Sequence, residues 1–272
     1  MVSANATSIL STLITANHVL HYHSVLHAYG HISVRNPENA STFFFARTLA
    51  PALISSTEDI NELNVADASQ TDPTRPRSFV ERFIHSEIYK RFEDVNSVVH
   101  SHSPQVLPYT ITDVPLKAVY HLPGFLGDQG VPNFDIAEFY EPGDQQDLLV
   151  SNTRLGAALA NTFNVNSTTN SFPDPPAVLM RGHGLAVAGE TIEQAVFFSI
   201  YTQSNAEIQS SAIELEHAFP NTGEGSGLRY LTAQEGIDSW ATNKPLIIRP
   251  WELWQREVQT VGQGLYVNGL EH

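Results

Sequence analysis

Apolar positions recur at near-helical spacing over residues 3–28, where Ile9, Leu10, Leu13, Val19, Leu20, Val25 and Leu26 share a side. That periodicity predicts a helix, and Gly30 supplies the stop signal just past it. Two strand-like runs at 30–35 and 42–45, separated by the turn residues Asn36-Pro37-Glu38-Asn39, predict a hairpin. Residues 46–57 read as irregular around Pro51, and a polar stretch with Pro73 and Pro76 leads to Ser78. A helix is expected over 79–92, with Phe83, Ile84, Ile88 and Tyr89 as its apolar face. Glu81 and His85, four apart, share one side of it. The valine-rich run at 94–102 reads as the central strand. A helix at 103–111 entered through Ser103-Pro104, a short strand at 115–120 and a glycine-rich loop at 123–143 follow. Next come a helix over about 151–163, a low-complexity turn at 164–170, and short strands at 177–180 and 185–188. The capping-box-like Thr191-Ile192-Glu193-Gln194 opens a long helix to about 219. A glycine-rich break at 223–227 precedes a terminal helix with Trp251 and Trp254, which bury against a core or a neighbouring subunit, or else roof a site. There is no internal repeat and no dividing linker. Helices and strands mix without a strict βαβ rhythm, so one α/β or α+β domain is expected.

Composition narrows the function. A chain of 272 residues, 42% apolar and 16% charged, can bury a sizeable core. A net charge of −15, from 14 basic and 29 acidic residues, argues against nucleic-acid partners, which need a basic stripe. It leaves room for an anionic small molecule, because a few arginines and a metal can reverse the potential inside a cleft. With no cysteine there is neither a disulfide frame nor a thiolate site, so any metal must be held by His and carboxylates. Residues 8–20 carry Asn17 and His18, lack a basic flank and are too short to span a bilayer. No leader or membrane partner is expected, the sequons at Asn5, Asn39 and Asn166 read as chance matches, and a cytoplasmic location follows.

The candidate chemistry centres on His100 and His102. On a strand, residues two apart leave the same face, so both imidazoles can approach one ion. Glu81 is expected on the helix before that strand, and His183 lies between Gly182 and Gly184 just after an apolar strand, where glycine permits close approach. Three His and one Glu make a plausible ligand set for a divalent cation. Taken singly, each has an ordinary alternative: a hydrogen-bonded strand end, a solvated helix face, a tight turn. Three segments that each end in a ligand-type residue beside an apolar strand are harder to dismiss together.

The motifs 30–35 (GHISVR), 81–85 (ERFIH), 98–102 (VVHSH) and 181–184 (RGHG) resemble those of the class II aldolase/adducin family, from the first helix to about residue 215. The resemblance implies a three-layer αβα sandwich around a mostly antiparallel sheet. It implies a family domain at 1–217, leaving 218–272 as an extension packed on that domain or on a neighbouring subunit. It also implies a homotetramer with active sites between subunits. Glu81, His100, His102 and His183 would surround Zn²⁺ or Mn²⁺, the histidines as permanent ligands and Glu81 as fourth ligand or displaceable base.

The chain departs from the sugar-phosphate aldolases of that family in three places. They carry Gly-Asn where Gly30-His31 stands, and a glycine-containing phosphate loop where Ala46-Arg47-Thr48-Leu49-Ala50-Pro51 stands, which offers no glycine to expose N–H groups. Their acidic tyrosine aligns with His121, next to Tyr120. The pattern is closer to the decarboxylase branch, similar to enzymes acting on hydroxypyridine dicarboxylate and dihydroxyphthalate. The expected reaction is loss of CO₂ from a hydroxylated, aromatic carboxylate, with the developing negative charge stabilised by the metal. His121 or Tyr120 would deliver the proton, and His31 and Arg47 would hold a second carboxylate. His85 would orient a ligand or neighbour, Arg35 and Arg82 would form structural ion pairs, and His21, His23 and His27 would occupy a polar helix face. Alternatives are an aldolase using an unphosphorylated substrate, an isomerase or epimerase, and a non-catalytic adducin-like scaffold.

Overall fold

A computed structural model describes residues 4–163, 171–219, 227–261 and 264–271. The expected turn at 164–170, with its sequon, and the glycine-rich break up to residue 226 lie outside the described residues. The elements are α1 (Ala4–Tyr22), β1 (His31–Arg35), β2 (Thr42–Ala46), β3 (Ile60–Asn64), α2 (Arg82–Arg91), β4 (Ser97–Ser101), α3 (Leu107–Thr110), β5 (Asn133–Phe134), α4 (Thr153–Thr162), β6 (Ala177–Met180), β7 (Gly184–Gly189), α5 (Ile192–Ala218), α6 (Ala233–Asn243) and α7 (Ile248–Val261). The strands form one sheet in the order β3-β2-β1-β4-β7-β6-β5. Neighbours are antiparallel except for the parallel β5–β6 pair.

Alternation along the strands separates two cores. Ile32, Val34, Phe44, Ala46, Val99, Leu185 and Val187 face α1, α5 and α7. Phe43, Phe45, Val98, Ala186 and Ala188 face α2 and α4. Both faces are covered, so the strands read as nearly continuous apolar runs. This is the αβα sandwich. The period of two gives His100 the α2 face, because its partners across the sheet are His31 on β1 and Ala186 on β7.

Several boundaries differ from expectation. Helix α1 stops at Tyr22 rather than near residue 28 because Ser24 turns left-handed (φ 59°), and the N–H groups of Val25 and Leu26 both donate to Leu20 O. The expected helix at 103–111 shrinks to the single turn of α3. Strand β3, the two-residue β5 and helix α6 were not foreseen. The stretch 115–120 pairs with no strand among the described residues. Side chains of α5 take the place of a neighbour: Asn205 accepts from Val119 N and donates to Lys117 O, and Gln209 accepts from Lys117 N and donates to Pro115 O. Arg35 and Arg82 are structural, but they serve carbonyls rather than carboxylates: Val95, Ala40, Tyr89 and Phe92 for Arg35, Ala68 and Phe79 for Arg82.

Trp251 and Trp254 are buried in the core beneath α1 and α5, the Trp254 ring 5.3 Å from that of His23 and 6.1 Å from that of Tyr201. They lie on the face of the sheet opposite His100. Among the described residues no helix is long and apolar enough to cross a membrane. Replacing Asn205 by Ala is expected to cost about 1–2 kcal/mol, since two backbone groups lose their partner; thermal melting of the variant checks this. An unchanged melting temperature would mean that the α5 zipper is not what holds 115–120.

Candidate metal centre

Three elements deliver four ligand atoms to one point. His100, fully buried near the end of β4, donates from Nδ1 to Leu185 O at 3.1 Å. Its Nε2 lone pair is thereby left free. His102 lies one residue beyond β4, with its Nε2 2.9 Å from His100 Nε2 and 3.0 Å from His183 Nε2. His183 sits in the β6–β7 turn, where Gly182 and Gly184 both have positive φ. At Gly184 a Cβ would fall 1.9 Å from Ser101 O, so only glycine lets this turn close on the end of β4. Glu81 was expected within a helix; it precedes the first turn of α2 instead. Its Oε1 accepts from Val150 N at 3.1 Å, leaving Oε2 3.3 Å from His100 Nε2 and 3.5 Å from His183 Nε2.

All four ligand atoms lie within 4.8 Å of one another. Each Nε2 carries at most one hydrogen, so the four contacts among them cannot all be hydrogen bonds. Lone pairs converge on a buried point where a cation would bond to every one. Tetrahedral Zn²⁺ with N and O donors separates its ligand atoms by about 3.3 Å, close to the 2.9, 3.0, 3.3 and 3.5 Å of the four contacts. The residues fit a divalent metal. His183 Nδ1 is buried without a partner.

Electrostatics follows from this crowding. Burial alone would raise the Glu81 carboxyl, but the His100 and His183 imidazoles outweigh it and hold it well below the carboxylate range. His102 is pushed down to about 3 by burial, then by His100 and His183. His31 and His85 are held well below the usual imidazole value, mainly by burial, with His85 the next cause for His31 and His100 the next for His85.

The other expected site residues are arranged differently. His31 is 2% exposed, its ring 5.1 Å from that of His100 and its Nδ1 2.7 Å from His85 Nε2. Arg47 gives Nε and Nη2 to Asp59 Oδ1, at 3.0 and 2.9 Å. Tyr120 donates to Ser204 Oγ, and His121 is exposed; no hydrogen bond or ring contact joins either to the cluster among the described residues. His21 pairs with Tyr266 and His23 with Glu257. Sequence reasoning missed the Val150 N–H that anchors Glu81. It also missed Ser33 and Tyr89, which continue the His31–His85 contact; the signal was His85 and Tyr89, four apart on one helix face. A cavity of about 620 Å³ lined by Phe125, Phe198, Trp240 and Glu190 opens at the other end of β7 from His183.

The family model for the class II aldolase and adducin N-terminal domain matches residues 12–210. The chain belongs to this family. It is 48% identical over 258 residues to the decarboxylase tropJ of Talaromyces stipitatus, covering 94% of this chain and 96% of that one. Over 117 residues, 43% of this chain and 41% of the relative, it is 31% identical to 3,4-dihydroxyphthalate decarboxylase of Arthrobacter keyseri. The solved L-fuculose 1-phosphate aldolase of Glaciozyma antarctica superposes with a TM-score of 0.70 over 98% of this chain and 95% of its own, at 19% identity, a likeness of fold.

His31, His85 and His102 all bind a proton less readily in the fold than in the unfolded chain, whose value is 6.5. The unfolded state therefore takes up more protons below that pH. The metal-free protein is expected to keep full stability above about pH 6.5, to lose it progressively as pH falls from there, and to lose more below the unfolded Glu81 value of 4.5. Melting curves of chelator-treated protein from pH 7.5 to 4 check this; a flat melting temperature would contradict it.

Proposed function

We propose that the protein is a metal-dependent carbon–carbon lyase that decarboxylates a hydroxylated, aromatic carboxylic acid. One observation carries the reading: a convergent three-His, one-Glu cluster in a chain nearly half identical, over almost its whole length, to an enzyme named a decarboxylase. The relatives named for 3,4-dihydroxyphthalate support the substrate class. His100, His102 and His183 would hold Zn²⁺ or Mn²⁺ through Nε2, with Glu81 as fourth ligand or as a base that substrate displaces. When bound, the cation supplies Lewis-acid stabilisation of the negative charge that develops as CO₂ leaves.

The remaining roles belong to the protein. His31 borders the cluster and serves a substrate oxygen. Arg47, shared with Asp59, would reach a second carboxylate through Nη1 and the remaining N–H of Nη2. His121 is exposed and would return the proton to the substrate carbon in the site of a neighbouring subunit of a homotetramer, with Tyr120 beside it.

Elemental analysis of dialysed protein should find close to one equivalent of Zn or Mn per chain, with CO₂ released from a panel of hydroxylated aromatic carboxylates that includes 3,4-dihydroxyphthalate. Absence of metal, with none taken up from added Zn²⁺ or Mn²⁺, would sink the reading. His102→Ala should lose the metal and slow turnover at least ~100-fold; full occupancy in that variant would refute the ligand set. His121→Phe should keep the metal and lose roughly 10²–10⁴-fold in kcat, and an unchanged kcat would remove His121 from the reaction.

A further inference from the structure

Behind the cluster runs a hydrogen-bonded chain of which the proposed reaction uses only the His31 end. Tyr89 Oη lies 2.6 Å from Ser33 Oγ, Ser33 Oγ 2.7 Å from His85 Nδ1, and His85 Nε2 2.7 Å from His31 Nδ1. Ser33 and His85 are fully buried, and Tyr89 and His31 are each 2% exposed. The chain is set in an aromatic layer: Phe45 and Phe79 pack on His31, Phe43 and Phe45 flank His85, and Phe43 packs on Tyr89. A polar group left unsatisfied in such surroundings costs its full desolvation penalty.

The hydrogens along this chain can be counted, because each contact holds one. Among the described residues Ser33 Oγ is the only side-chain partner of the Tyr89 hydroxyl, so Tyr89 donates there. Ser33 must then turn its own hydrogen to His85 Nδ1. His85 carries its hydrogen on Nε2 and gives it to His31 Nδ1, and His31 is left with its hydrogen on Nε2. Running the chain in reverse strands the Tyr89 hydrogen in the interior without an acceptor. Hydrogen on His85 Nδ1, in the neutral or the doubly protonated ring, leaves either the Tyr89 or the Ser33 hydroxyl hydrogen without an acceptor. His31 Nε2 has no protein partner among the described residues, yet it is not among the polar atoms sealed from solvent. His31 stands opposite His100 in the β1–β4 register.

We infer that Tyr89, Ser33 and His85 lock His31 in its Nε2–H form, making it a hydrogen-bond donor beside the metal cluster and barring it from becoming a fifth ligand. Ligation needs a bare ring nitrogen, and the only bare nitrogen of His31 is turned away, toward His85. An N–H at this position suits a carboxylate or hydroxyl oxygen of the substrate. That last step rests on the lyase reading; the tautomer does not. Tyr89, Ser33 and His85 are positioning residues, acting through His31.

The test is ¹⁵N magic-angle-spinning NMR of the full-length protein with labelled histidine, metal-free and after Zn²⁺ loading, the His31 signals being assigned by their loss in His31→Gln. The expected spectrum has hydrogen on His31 Nε2 and a bare Nδ1 in both states. In Tyr89→Phe the Nδ1–H form should rise at least threefold while Zn²⁺ affinity stays within threefold. A wild-type proton on Nδ1, a Zn²⁺-coordinated Nε2, or an unchanged Tyr89→Phe spectrum would each overturn the inference. The wild-type spectra decide even if the variant fails to fold. The Nε2–H form in a protein that releases no CO₂ from the carboxylate panel would uphold the lock and bring down the lyase reading alone.

Discussion

Glu81 Oε2 and the Nε2 atoms of His100, His102 and His183 lie within 4.8 Å of one another, and no distribution of protons turns all their contacts into hydrogen bonds. Crowding of this kind persists only where the surrounding fold over-determines it. The anchors are visible: Leu185 O fixes the His100 ring, Val150 N fixes the Glu81 carboxylate, and the Gly182–Gly184 turn closes on Ser101. Leu185 and the glycine turn belong to one segment and Val150 to another, so the cluster exists only once β4, β7, the start of α2 and the stretch before α4 are all in place.

The sheet divides its labour between faces. Toward α1, α5 and α7 it is an aliphatic and aromatic core that takes in the C-terminal tryptophans. Toward α2 the same strands present His100, His31 and Ser33 among phenylalanines. Little water reaches that face, so His100 Nδ1 is tied to Leu185 O, and Ser33, His85 and His31 Nδ1 to one another. That requirement links the cluster to α2 and makes the helix part of the site rather than a cover for it.

Much of this was legible in the chain. The hairpin, the central strand, the β6–β7 turn and the long α5 follow from apolar periodicity and glycine placement, and the residues of the cluster stand where those elements end. What was not legible depended on distant partners. Residues 115–120 carry a strand pattern, but Asn205 and Gln209, some 90 residues on, satisfy the backbone of Pro115, Lys117 and Val119. Arg47 reads as a free cation until Asp59 is found 12 residues later. His31 reads as open to substrate, whereas Phe45, Phe79 and His85 enclose all but a sliver of it. Strand β3 escaped notice because its buried Asn61 is polar, held by Pro76 O and Ser78 Oγ.

The most direct test of the central claim is anomalous X-ray diffraction from crystals of the protein grown without chelator, recorded at the Zn and Mn edges. One strong anomalous peak per chain is expected, bonded to the Nε2 atoms of His100, His102 and His183 and adjacent to Glu81. A peak elsewhere, or none after soaking in Zn²⁺ or Mn²⁺, would contradict it.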